Sequence, residues 1–181
     1  MNRKEAGFSL VELVITLAVL AIIMAIALPA FGGMLQRTRE ASAYHLLTAS
    51  LATARLRAVK DGAPVTVCPS LDGHTCRGDE IWSDGWILYR DPDRDDQPQA
   101  DDAVLQRFDG VSGDLALRST TGRRHVRFLP SGWASGSNLS IRLCRPGEDG
   151  FLGSVIVNNA GRPRTERQAG PAPCPFTVEA T

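Results

Sequence analysis

Lysine is almost missing from this chain: of its 20 basic residues only Lys4 and Lys60 are lysine. The arginine excess suits bidentate phosphate contacts, but GC-rich codon usage produces the same skew, so it carries little weight. No charge of either sign prevails, with 20 basic and 20 acidic side chains giving a formal net charge of zero. Bulk charge therefore names no partner. Histidine is scarce, and His45, His74 and His125 are scattered. There is no G-x-S-x-G elbow, no H-E-x-x-H and no glycine-rich loop entering a helix, which removes the usual nucleophilic, zinc-hydrolase and phosphate-cradle chemistries. No C-x-x-C knuckle offers a structural zinc site. A non-enzyme without a cofactor is the expectation. Internal repeats and low-complexity linkers are also missing.

What the chain does hold is uneven. Asp61 to Asp114 carries thirteen acids against four bases, and Leu115 to Thr181 carries nine arginines against four acids. Local fields of opposite sign steer different partners even when the total vanishes. Cysteine is present four times, as Cys68, Cys76, Cys144 and Cys174. An even number downstream of an export-like segment suggests two disulfides in an oxidising compartment. Three pairings are possible. Cys68 with Cys76 would close a short turn-rich loop, and Cys144 with Cys174 would pin the proline-rich tail AGPAPCPF, so this set is the expected one.

The N-terminus holds a long apolar run, Phe8 to Leu28, preceded by Arg3 and Lys4. As helix it spans about 31 Å at 1.5 Å per residue, enough for a hydrocarbon core, and positive residues tend to stay cytoplasmic. Three readings compete: a secretory signal cut near Ala25-Ile26-Ala27, a plain anchor, or a segment cut between Gly7 and Phe8 that keeps its helix. Glu12 favours the third. A carboxylate inside such a run costs on the order of 2–4 kcal/mol, and only a chain that stacks helix on helix gains from it. Cleavage at Gly7 would give Phe8 a new amine, which Glu12 of a neighbouring subunit can neutralise.

GFSLVEL, Gly7 to Leu13, resembles the class III signal of type IV prepilins and pseudopilins. The resemblance implies that a prepilin peptidase cuts after Gly7 and N-methylates Phe8, and that Glu12 acts in assembly. Pro29 lies where such helices commonly carry a kinking proline.

Beyond Pro29, Gly32 and Gly33 weaken the helix locally. Tyr44, Leu47, Leu51, Ala54 and Ala58 then step by three and four, giving one apolar face. One long helix over 8–60 is expected, ended by Asp61-Gly62 and Pro64. Short runs follow at Val65–Cys68, Trp86–Tyr89, Val104–Phe108, Val126–Leu129, Leu139–Cys144 and Ser154–Val157, separated by Gly, Pro, Asp and Asn clusters. The fold class is α+β, a long N-terminal helix followed by an antiparallel β domain. The expected organisation is a leader over 1–7, a helix over 8–60 with 8–28 in the membrane or a filament core, and a globular domain over 61–181.

VTVCPSLDGHTC followed by WSDGWILYRD is similar to the portion after the helix in FimT- and FimU-like members of the GspH/FimT group of minor pilins and pseudopilins. The likeness covers nearly the whole chain. It implies a pilin-like fold with the helix packed against two sheets. It also implies an inner-membrane, single-pass location with the C-terminal domain in the periplasm, then a type IV pilus. The partners implied are other pilin subunits and prepilin peptidase.

Two stretches carry candidate sites. DPDRDDQPQADD places Asp91, Asp93, Asp95 and Asp102 at calcium-loop positions one, three, five and twelve, but Asp96 stands sixth, where a sharp turn wants glycine, and a solvated acidic turn is the plainer account. NNAGRPRTER begins with turn chemistry. Arg162 and Arg164 then follow at i and i+2, so in an extended segment they project to one side. Pro163 between them marks an exposed edge or loop. Two guanidinium groups there suit adjacent phosphates, with Arg123, Arg124, Arg127 and Arg167 as possible extensions of the patch. GRPR matches the G-R-x-R motif of FimT-type minor pilins, where the resemblance implies DNA binding in natural transformation by Arg162 and Arg164, with Gly161 giving the turn. Base-specific readout is not expected, since no recognition helix remains and aromatics near the arginines are few. The alternative is a minor pilin or type II secretion pseudopilin that primes or caps a filament without binding DNA.

Overall fold

The computed structural model describes residues 9–100, 103–111, 114–134, 136 and 138–178. The leader, Gly7, Phe8 and Asp102 lie outside the described residues. The chain divides into two units, Met1–Ala41 and Ser42–Thr181.

Helix α1 runs Leu10–Asp61. Ser9 caps it: its Oγ accepts from the Glu12 amide at 3.2 Å and its carbonyl from the Leu13 amide at 3.1 Å, which satisfies donors that helix geometry leaves open. Glu12 sits in the first turn, where an acid also meets the positive end of the helix dipole. In the first unit every residue from 9 to 39 is exposed, including a long apolar series through Leu13, Leu17, Leu20 and Ile23. A helix apolar on all sides needs lipid or other helices around it, and this one is long and apolar enough to cross a membrane. Helical geometry continues through Pro29, Gly32 and Gly33.

In the second unit α1 is amphipathic. Ala43, Tyr44, Leu47, Ser50, Leu51, Ala54 and Ala58 are buried, the three-and-four spacing that places side chains on one face. Eight strands follow: β1 Val65–Pro69, β2 Gly85–Arg90, β3 Val104–Asp109, β4 Ala116–Ser119, β5 Val126–Phe128, β6 Leu139–Cys144, β7 Phe151–Val157 and β8 Pro163–Arg167. They form two antiparallel sheets, ordered β3-β2-β1-β5 and β4-β6-β7-β8. Strands β4 and β8 were not among the six runs expected from sequence. Both are short and rich in polar residues, and each is an outer strand held by a partner in register, β4 on β6 and β8 on β7.

One core joins the buried face of α1 to both sheets, with Leu47, Leu51, Val67, Trp86, Phe128, Ile141 and Val155 in a single cluster. Within it, the Trp86 indole N–H donates to Ser50 Oγ at 2.9 Å, so a buried donor is satisfied. Strands β1 and β2 are buried on both faces, because Cys68, Ile87 and Tyr89 pack separately with Cys76 and Val104. Cys68 is bonded to Cys76 and Cys144 to Cys174. Inside the shorter loop the Asp72 carboxylate accepts from the His74 amide, the Thr75 amide and the Thr75 hydroxyl, each at 2.8 Å. The amide of Thr75, then that of His74, and then the Thr75 hydroxyl hold its pKa well below the usual carboxylate range. The longer loop encloses β7 and β8.

Candidate nucleic-acid interface

The segment between β7 and β8 is a fixed turn. The Gly161 amide donates to the Asn158 carbonyl at 2.8 Å, and the Arg162 amide to Asn158 Oδ1 at 3.3 Å. Gly161 has φ 69°, in the left-handed region that favours glycine. A Cβ there would lie 2.2 Å from the Gly132 carbonyl oxygen. Glycine is required twice over, by dihedral and by space. The turn bound by residues 129–134 presses on it from one side, with the Ala134 amide donating to the Asn159 carbonyl at 3.0 Å. Arg55 of α1 donates through Nε to the Gly132 carbonyl at 2.9 Å. Sequence reasoning missed Arg55 and the 129–134 turn, because their adjacency to Gly161 is made only by folding.

Pro163 opens β8, which lies at the edge of its sheet, where a residue without an N–H does no harm to the ladder. Strand alternation then splits the side chains. Thr165 Oγ1 lies 3.2 Å from Thr48 Oγ1, and the Arg167 guanidinium stands 5.4 Å from the centre of the Tyr44 ring. Arg167 therefore faces α1, away from the face of β8 that carries Arg164. Arg164 pairs with Glu166 at 2.8 Å, and the two side chains are 62% and 53% exposed. A surface pair of this kind contributes at most about 1 kcal/mol, so a phosphate can displace the carboxylate. Arg162 is exposed, and among the described residues no ion pair engages it.

The other arginines have local partners. Arg123 Nη1 donates to the Gly136 carbonyl at 3.1 Å, and Arg124 Nε lies 3.9 Å from Glu80 Oε1. Arg127, on β5 of the other sheet, reaches the buried Asp91 at 2.7 Å and also pairs with Asp96, with only 13% of its side chain exposed. Arg127 is thus a structural cation and adds nothing to an exposed patch. The structure brings Arg162 and Arg164 onto one strand approach and leaves Arg123, Arg124 and Arg127 in separate contacts.

Asp91, Asp93 and Asp95 each place a carboxylate oxygen within 4.8 Å of the other two. Asp91 Oδ2 already accepts from the Thr66 hydroxyl at 2.6 Å and from Arg127. Asp96 has φ 67°, the conformation for which the calcium-loop pattern wants glycine, and it faces Arg127 and His125 instead. Arginine supplies the counter-charge in this loop. Burial, with Asp91 and Asp96 adding, pushes the Tyr89 hydroxyl above its ordinary pKa.

Among curated proteins no sequence matches this chain. Among solved structures, the Pseudomonas aeruginosa type IV minor pilin FimU is similar in two crystal forms. The first has a TM-score of 0.57 at 20% identity, covering 72% of this chain and 90% of that one. The second has a TM-score of 0.51 at 21% identity, covering 69% and 90%. At this identity the likeness establishes the pilin-like fold, one long N-terminal helix followed by two antiparallel sheets. The minor pseudopilin EpsH of the Vibrio cholerae Type 2 Secretion System matches with a TM-score of 0.48 at 12% identity, covering 68% of this chain and 93% of that one. The model of the prokaryotic N-terminal methylation motif matches residues 2–28, and that of the Type II transport protein GspH matches residues 43–161. The second match spans well over half of the chain, which therefore belongs to the GspH family of minor pilins and pseudopilins.

Proposed function

We propose that this chain is a minor type IV pilin that holds extracellular DNA by its phosphates, through Arg162 and Arg164, for uptake in natural transformation. The observation that carries the reading is an exposed arginine pair on a stiff edge segment whose turn is fixed by Gly161. Preorganisation of this kind lowers the ordering cost of binding, and the bridge between Cys144 and Cys174 encloses the element. Binding of this type is electrostatic, tolerant of sequence and salt-sensitive. The subunit arises by cleavage after Gly7 and N-methylation of Phe8 by prepilin peptidase, with residues 8–28 held in the inner membrane before assembly and the C-terminal domain in the periplasm. Glu12 pairs with a neighbouring subunit's N-terminal amine. The role is non-enzymatic.

The test is a DNA titration across salt with the full chain in detergent, beside an Arg162→Gln/Arg164→Gln variant of verified fold. The parent is expected to bind, and the variant to lose most affinity with a log–log salt slope shallower by up to about 2. Glu166 already neutralises one of the two guanidinium groups, which favours a second reading, in which the chain primes or caps a filament without binding DNA. Absence of binding by the parent at low salt would select it.

A further inference from the structure

Trp133 is 59% exposed, whereas the other two tryptophans, Trp82 and Trp86, are fully buried. An indole left in water on a well-fixed backbone calls for an explanation. The backbone around it is held on several sides. The Leu129 amide donates to the Trp133 carbonyl at 2.8 Å, and the Gly132 amide to the Leu129 carbonyl at 2.8 Å. Its two chain neighbours are the residues that meet the arginine turn: Gly132 crowds Gly161, and Ala134 bonds to Asn159. The indole thus leaves the surface from a backbone pressed against the residue that precedes Arg162.

We infer that Trp133 is a stacking platform for a nucleobase beside the Arg162–Arg164 pair, and that the site prefers single-stranded DNA to duplex. The inference rests on the DNA reading above and adds a substrate class to it. Phosphate contacts alone favour the duplex, whose charge density is higher. A ring beside them reverses that order, because only an unpaired strand offers a free base face, and stacking on an aromatic side chain is tolerant of sequence. Aromatic surface beside cationic side chains is the common chemistry of single-strand grooves.

The experiment compares oligo-dT with a duplex of equal length, using the full chain in detergent and following tryptophan emission. Because Trp82 and Trp86 are buried, quenching on binding reports Trp133. The parent is expected to bind the single strand more tightly and to be quenched by it. Trp133→Ala should lose roughly 5- to 100-fold for the single strand, change by less than about 2-fold for the duplex, and show no quenching. Trp133→Phe should retain part of the affinity, and an unchanged melting temperature excludes a folding defect. Arg162→Gln/Arg164→Gln should lose both ligands. If Trp133→Ala binds the single strand as the parent does while the arginine variant fails, stacking is overturned and the phosphate reading survives. If the parent binds neither DNA, both readings fall, and Trp133 belongs to a contact between subunits.

Discussion

Gly161 combines two costs, of dihedral and of space, that a comparison with Gly122 separates. Any other residue there must hold φ near 69° and also meet the Gly132 carbonyl oxygen at 2.2 Å. Gly122 has a comparable φ of 76°, with nothing within 4 Å of a Cβ. Gly122→Ala is expected to cost about 1–2 kcal/mol, the left-handed strain alone. Gly161→Ala is expected to cost more, since backbone must move as well, and to weaken DNA binding by displacing Arg162. Urea midpoints at unchanged slope measure both. Equal losses at the two positions would mean that the 129–134 turn yields easily and does not hold the site.

Helix α1 serves two environments with one backbone. Its first part is apolar on every side, and its later part shows a single buried face built on Leu47, Leu51, Ala54 and Ala58. That later face was legible in the sequence because helical spacing is a local property. Ser9 was not singled out, although the Ser-x-x-Glu spacing to Glu12 is a known helix-start pattern. The cap clarifies a test of the assembly role. Ser9 Oγ bonds the Glu12 amide, which every residue but proline retains at position 12, so Glu12→Ala keeps the helix start. This variant should insert in the membrane normally and enter filaments poorly, as read by fractionation against sheared pili. Normal incorporation would remove Glu12 from assembly. Strands β4 and β8 were illegible for the opposite reason. PRTER has no alternating apolar signal, and its strand exists because β7 offers an edge and Thr48 and Tyr44 receive Thr165 and Arg167.

At the scale of the whole molecule, the arginine pair was legible from turn chemistry and spacing, whereas its neighbourhood was not. The 129–134 turn that carries Trp133 meets Gly161 only through the fold, and Arg127, grouped with the patch by charge, is consumed by Asp91 and Asp96. The same acidic loop shapes stability against pH. Burial, only partly offset by Asp96 at 3.3 Å, lowers the His125 pKa. The folded state therefore binds fewer protons than the unfolded chain below about pH 6.5, so stability is full above that value and falls as pH drops through it. Asp72 acts lower: its depressed pKa gives stability that is present above about pH 4 and lost on further acidification. Thermal midpoints from pH 7.5 to 3 should show two declines, with His125→Gln removing the upper one. A profile unchanged by that substitution would place the titrating group elsewhere. The two disulfides have a consequence for biogenesis. Each joins cysteines that follow one another in the chain, Cys68 to Cys76 and Cys144 to Cys174. With the C-terminal domain in the periplasm, as proposed, a polypeptide oxidised in the order in which its thiols leave a translocation channel meets each native partner first. A simple oxidant then suffices, and a disulfide isomerase finds nothing to correct.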